Sequence, residues 1–254
     1  MSYIIFDLDD TLLDADSKVT DYTLSVLSAL RALGHKIVIN TARSRFMNQS
    51  CFDTIRPDYA ILCGGAGILD STDNYIYRRE IPKEKVKAIA DELNSMGRSF
   101  SVQAEPYLYS SNKDFNRCDV IHFDPENFEY NFDAPKFIVK LEEGEAEYFA
   151  KKYDLDVVAY FGGPLYRFNH KEATKAKGNT ALVKMLGGSE SDIIAFGDDL
   201  GDVDMLKEAG IGVIMKNAKD ELKSQFAFVT EYTNKEDGVA RFLVNHFNLN
   251  ENDL

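Results

Sequence analysis

The chain carries two rhythms of apolar and polar residues, and the change from one to the other divides it. The opening run Tyr3-Ile4-Ile5-Phe6 is a block of β-branched and aromatic residues that stops at Asp7, the pattern of a buried strand. Asp14 to Lys18 is polar and turn-like; Leu24, Val26, Leu27, Leu30 and Leu33 then recur at helical spacing up to Gly34, which predicts an amphipathic helix ending there. A second strand, Lys36 to Asn40, ends at Thr41, completing a β-α-β unit of doubly wound type. A third run, Tyr59 to Leu62, follows Pro57-Asp58 and breaks at Cys63-Gly64-Gly65-Ala66-Gly67, where backbone can approach a ligand or form a simple tight turn. Ile68-Leu69 and Tyr75-Ile76-Tyr77 predict a hairpin leading out of the sheet, and Ile81-Pro82 precedes a predicted helix over Lys83 to Met96.

Beyond that point the segments become short and alternating: Phe100 to Gln103, Tyr107 to Ser111, Lys136 to Leu141, Val157 to Phe161 and Leu165 to Phe168, with a helical pattern at Glu145 to Tyr153. This predicts a mainly antiparallel sheet with helices. The first rhythm then resumes with a helix over Gly178 to Leu186, a strand over Asp192 to Phe196 and a helix near Val203 to Ala209. Strands at Ile211 to Val213 and Ala227 to Thr230 and a closing helix over Lys235 to Phe247 complete it, before a polar tail from Asn248. The expected architecture is α/β, a doubly wound Rossmann-like parallel-sheet core from residues 1–81 and 172–254 with an inserted α+β domain over 82–171.

Composition narrows the function. The 254 residues are 44% hydrophobic and 28% charged, as in a globular protein with a substantial core. A net charge of −13 repels nucleic-acid phosphates and anionic membranes, and no local basic patch offsets it. No run approaches membrane-spanning length, and Asp7 interrupts the apolar run nearest the start, so no secretory leader is expected. The three cysteines, Cys51, Cys63 and Cys118, are widely separated and outside any metal-ligand spacing, which fits a cytoplasmic protein with structural thiols.

Asp7 and Asp9 stand two residues apart at a strand end, with Thr11 just beyond. Ligands bind in the crevice at the carboxyl ends of parallel strands. Two such close acids repel each other unless a cation or shared proton intervenes, and a divalent metal is the usual remedy. Asp9-Asp10-Thr11 alone could equally be a turn or helix cap. Three further strand or helix boundaries carry chemistry: Thr41-Ala42-Arg43 after the second strand, Lys177-Gly178 before a helical pattern, and Gly197-Asp198-Asp199-Leu200-Gly201-Asp202 after a late strand.

In this order and spacing these segments resemble the four motifs of the haloacid dehalogenase (HAD) superfamily, most closely its Cof-like phosphatases with a type IIB cap. The resemblance covers most of the chain. It implies that Asp7 is a nucleophile forming an aspartyl-phosphate, that Asp9 is the general acid/base, and that Thr41 and Lys177 hold phosphoryl oxygens. It further implies Mg2+ on the Asp7 carboxylate, the Asp9 carbonyl and Asp198, with Asp202 and Asp199 in support. Gly65 and Asn217 are candidate phosphate-side contacts, whereas Arg43 can face phosphate or pair with a surface acid. Three positions depart from the family pattern: Ala42 replaces a glycine, and Gly64 and Gly201 replace asparagines. The expected activity is Mg2+-dependent hydrolysis of a small phosphate ester, possibly a sugar phosphate. Phosphotransfer of mutase type and a catalytically weakened phosphate-binding protein are the alternatives; a receiver-type signalling module fits poorly, being shorter and without the insert. Substrate choice is expected to lie in the insert, where Tyr107, Asn112, Lys113, Asn116, Arg117, Lys136 and Arg167 offer polar or aromatic contacts.

Overall fold

The computed structural model describes residues 1–250 except 15, 116, 161 and 162; Asn116, expected as a cap contact, Phe161, expected to end a strand, and the end of the polar tail lie outside the described residues. In chain order the elements are β1 (Tyr3–Phe6), α1 (Asp21–Ala32), β2 (Lys36–Asn40), α2 (Gln49–Ile55), β3 (Tyr59–Leu62), β4 (Gly67–Asp70), β5 (Tyr75–Arg78), α3 (Lys83–Ser95), β6 (Phe100–Ala104), β7 (Tyr107–Ser110) and β8 (Val120–His122). They continue with β9 (Phe137–Lys140), α4 (Glu143–Tyr153), β10 (Leu155–Tyr160), β11 (Leu165–His170), α5 (Lys175–Met185), β12 (Ile193–Gly197), α6 (Val203–Glu208), β13 (Ile211–Ile214), α7 (Asp220–Lys223), β14 (Phe228–Val229) and α8 (Gly238–Phe247).

Eight strands form one sheet in the order β14-β13-β12-β1-β2-β3-β4-β5. The β1 strand lies inside it, parallel to both β12 and β2. Its four residues are all fully buried, which is why it reads as an uninterrupted apolar run. The two faces divide its side chains with the period of a strand: Ile4 and Phe6 join one apolar layer with α1, α2 and α8, while Tyr3 and Ile5 join another with α5, α6 and α7. The β4–β5 hairpin runs antiparallel and extends this sheet beyond β3, so the expectation that it leads outward is corrected. Helix α2 adds to the expected elements: it is only seven residues long, with Cys51, Phe52 and Ile55 as its buried face, too short a stretch for the apolar period to stand out.

The segment between β5 and α5 builds the second sheet, in the order β10-β11-β9-β6-β7-β8, antiparallel except for the β7–β8 pair. One face, with Phe100, Val102, Phe137, Val139 and Phe168, packs on Val86, Ile89 and Leu93 of α3 and Phe149 of α4. The opposite face is polar although buried, carrying Ser101, Gln103, Ser110, Arg167 and Asn169. That face meets the first sheet's loops: Asn169 Nδ2 donates to Cys63 O (2.8 Å) and Lys136 Nζ to Ala42 O (2.9 Å). The protein is thus a Rossmann-like α/β core with an inserted α+β cap. Among the described residues no helix is long and apolar enough to cross a membrane.

Candidate active site

Parallel pairing fixes which residues meet. Phe6 is in register with Phe196 on one side and Ile39 on the other, so Asp7, Asp198 and Thr41 leave adjacent strands at the same sheet edge. The Asp7 backbone N–H still donates to Phe196 O (3.1 Å), holding the first carboxylate against β12. Carboxylate oxygens of Asp7, Asp198 and Asp202 all lie within 4.8 Å of one another.

The cation in this cluster is Lys175. Its ammonium lies 2.9 Å from Asp7 Oδ1 and 2.6 Å from Asp202 Oδ1, and all three side chains are almost completely buried. Lys177 is corrected by this placement: its Nζ is exposed, bonded to Glu172 (3.0 Å) and to Lys171 O (3.1 Å). The cause is the helix boundary. Thr174 caps α5 by accepting from Lys177 N, so the helix begins at Lys175 and not at Gly178. A first-turn residue then faces the strand ends, and two positions later the 3.6-residue turn points outward. Asn40, the last residue of β2, pins that first turn by donating to Lys175 O (2.9 Å) and Asn179 Oδ1 (2.7 Å).

Asp202 is fully occupied: besides Lys175 it accepts from the N–H groups of Asp198 (3.0 Å) and Asp199 (3.2 Å). Asp198 accepts from the Thr11 hydroxyl (2.7 Å). Asp199 caps the following turn, accepting from Gly201 N (2.8 Å), and is outside the three-carboxylate cluster. Burial pushes Asp7 up to about 7, against the opposing Lys175 charge and with Asp202 adding to the rise. Burial likewise pushes Asp198 up to about 8; the Thr11 bond opposes this and neighbouring carboxylates reinforce it. Lys175 moves upward too, because Asp202 and Asp7 outweigh its desolvation. Burial is thus the larger cause of both carboxyl shifts, and the neighbouring acids add to them.

Asp9 sits at the outer lip, its side chain 56% exposed and paired with Arg43, whose Nε lies 2.9 Å from Asp9 Oδ2. Of the two readings of Arg43, pairing with an acid is the observed one, and that acid is Asp9. Thr41 is buried, its Oγ1 accepting from Arg43 N (3.2 Å). Gly65 has φ +108°, and a Cβ there would stand 2.1 Å from Thr174 O; only glycine lets the β3 loop meet the start of α5. Asn217 is corrected as a phosphate-side contact: its amide bridges Asp10 O (2.7 Å) and Asn234 N (3.1 Å), tying the nucleophile loop to the late loops. In the cap, Tyr107 faces Phe46 of the core at 6.5 Å between ring centres, while Arg117 is spent on Asp119. Asn112 accepts from Asp114 N within its own turn, and Lys113 is exposed.

The family model of haloacid dehalogenase-like hydrolases matches residues 4–243. A 5-amino-6-(5-phospho-D-ribitylamino)uracil phosphatase of Bacillus subtilis is 26% identical over 239 residues, spanning 94% of this chain and 92% of that protein. Among solved structures, a HAD phosphatase from Bacteroides thetaiotaomicron superposes with a TM-score of 0.85 at 21% identity, covering 98% of this chain and 95% of the other. A HAD subclass IIB sugar phosphatase superposes with a TM-score of 0.80 at 24% identity, covering 98% and 99%.

Proposed function

This chain belongs to the haloacid dehalogenase-like hydrolases, and from that premise we propose that it is a Mg2+-dependent phosphatase of a small phosphorylated metabolite, working through an aspartyl-phosphate on Asp7. The observation that carries the reading is the buried Asp7–Lys175–Asp202 chain beside Asp198 at the carboxyl edge of β1 and β12. Residues 82–171 are read as the cap over this edge.

The residues fit a divalent cation. Three clustered carboxylates face one ammonium, leaving a deficit of two positive charges when all are ionised. Asp202 has its oxygens committed to Lys175 and two backbone N–H groups, so Asp7, Asp198 and the Asp9 carbonyl are the groups that would hold the metal. Such hard oxygen donors suit Mg2+. Once bound, the cation supplies neutralisation of phosphoryl charge and of the carboxylate cluster.

Lys175 holds Asp7 through Oδ1, leaving the other carboxylate oxygen to attack phosphorus. The bond to the ester oxygen breaks as Asp9 delivers a proton to it; Asp9 then removes a proton from water, which attacks the aspartyl-phosphate and frees phosphate. Asp9 must leave Arg43 to do so. Thr41, buried beside Asp7, and Lys175 are the donors that hold the phosphoryl oxygens in place of the role expected of Lys177.

The test uses p-nitrophenyl phosphate, whose leaving group departs without a proton. In Asp9→Asn, phosphorylation of Asp7 proceeds while hydrolysis of the intermediate loses its base, so turnover falls about 10²-fold and acid quenching traps label on Asp7. Unchanged turnover, or label on another residue, overturns the assignment.

A further inference from the structure

On the cap face turned to the core, two cations are buried without an ion pair among the described residues. Lys136 donates to a backbone carbonyl, Ala42 O. Arg167, on β11, is 5% exposed, and its Nε has no hydrogen-bond partner among the described residues. Asp156 feels the Arg167 charge but forms no ion pair with it. Glu105, whose charge with those of Lys136 and Arg167 acts on the Cys63 thiol and which adds to the upward push of burial on the Tyr75 phenol, forms no ion pair with either cation among the described residues. A buried guanidinium with no carboxylate is unfavourable on its own, because desolvation is not repaid by a partner.

The guanidinium is nonetheless housed. A Cβ on Gly64 would lie 2.7 Å from Arg167 Nη1 and 2.8 Å from its Cζ, so the space an ordinary side chain would fill holds the arginine head instead. Gly64 N donates to Thr41 O (2.9 Å), which ties this loop to the strand end that borders the Asp7 site. Arg167 also lines a cavity of about 330 Å³ between cap and core, together with Asp156, Thr174, Lys175, Leu200 and Gly201. Lys175, whose buried ammonium holds Asp7, therefore borders the same cavity as the unpaired arginine.

We propose that Arg167 is a specificity-determining residue that binds a second oxyanion, a carboxylate or a second phosphate, on the leaving portion of the substrate. The inference rests on the phosphatase reading and deepens it: the substrate class is phosphate esters whose alcohol is itself anionic. A planar guanidinium fork binds such groups with two parallel hydrogen bonds, and low dielectric strengthens the attraction. Arg167 touches the part of the ester that leaves, so its contribution falls on KM and on discrimination.

The experiment compares a sugar bisphosphate, a phosphorylated hydroxy acid, a neutral sugar monophosphate and p-nitrophenyl phosphate in the wild type, Arg167→Gln, Arg167→Lys and Gly64→Ala. Wild type is expected to favour one of the two anionic esters, and which one identifies the second group. In Arg167→Gln the ratio of its kcat/KM to that of p-nitrophenyl phosphate falls about tenfold or more, through KM. Arg167→Lys restores part of the ratio, and Gly64→Ala lowers it by displacing the head without removing it. Thermal midpoints report whether each variant is folded; a parallel loss on all four esters, in kcat, overturns the proposal in favour of a structural role. Wild-type turnover of p-nitrophenyl phosphate with no preference for either anionic ester overturns this inference alone. No turnover of any ester overturns the phosphatase reading and this inference with it.

Discussion

The Asp7 centre and the roof above it are both buried and polar, but they treat charge in opposite ways. At the centre each charged group has a fixed partner: Lys175 bridges Asp7 and Asp202, Asp202 takes two backbone N–H groups, and Asp198 takes the Thr11 hydroxyl. Among the described residues of the cap face, Lys136 bonds a carbonyl and no carboxylate, and Arg167 Nε has no partner. The first arrangement is preorganised for one reacting group whatever it is attached to. The second leaves a guanidinium nitrogen unpartnered among the described residues, the feature on which the proposed second-anion site rests. On the proposed reading, chemistry common to all phosphate esters belongs to the sheet edge, and discrimination belongs to the surface that faces it.

The largest effect that sharpens this contrast is Asp7→Asn, which removes the nucleophile in a nearly isosteric side chain. Phosphate release is expected to fall about 10³-fold or more on every ester alike; near wild-type release would dissolve the distinction. Chelation should likewise eliminate turnover on all substrates, with Mg2+ restoring it.

The metal-free protein also offers a pH test. Asp7 and Asp198 have folded values of about 7 and 8, above the ordinary 3.8, so between these limits the folded state binds protons that the unfolded chain does not. Stability of the chelated protein is therefore lost as pH rises and gained as it falls from about 8 towards 4. Added Mg2+ should flatten or reverse that slope in thermal melts, and a chelated protein that melts lower at pH 6 than at pH 8 would contradict the charge deficit.

Next in size is the pair of lysines on α5. Lys175→Met leaves Asp7 and Asp202 buried without their cation, which should cost about 3–5 kcal/mol of stability and about 10²-fold or more in kcat. Lys177→Met breaks an exposed pair with Glu172, worth about 0–1 kcal/mol, and should leave kcat within about twofold. The smallest effect sought is thus the control, and an equal loss in both variants would return Lys177 to the site.

The legibility of this protein followed the range of the interactions involved. Strands such as β1 and β12 announce themselves because burial on both faces demands continuous apolar runs, and each ends visibly at Asp7 or Asp198. The strand-end position of those acids is visible in local pattern, while their chemical role is implied only by the ordered set of motifs. Helix α5 shows where local pattern failed: Thr174, Lys175 and Lys177 are all compatible with a helix start, and only the Asn40 bonds and the Thr174 cap decide which lysine turns inward. Arg43 is the same case, since nothing near it in sequence reveals that Asp9, 34 residues earlier, is its partner. Asn217 reads as a ligand contact until Asp10 and Asn234 arrive from opposite ends of the chain to occupy its amide.

The sequence by itself determined the alternation of strand and helix, the interruption by an α+β insert, and the strand-end carboxylates, because each rests on the period of apolar burial or on residues adjacent in the chain. Tertiary structure alone decided which ammonium meets Asp7, that Gly64 makes room for Arg167, and that the cap presents buried cations to the core. These depend on side chains brought together from distant segments, where burial changes the cost of a charge and a single turn of helix changes its direction.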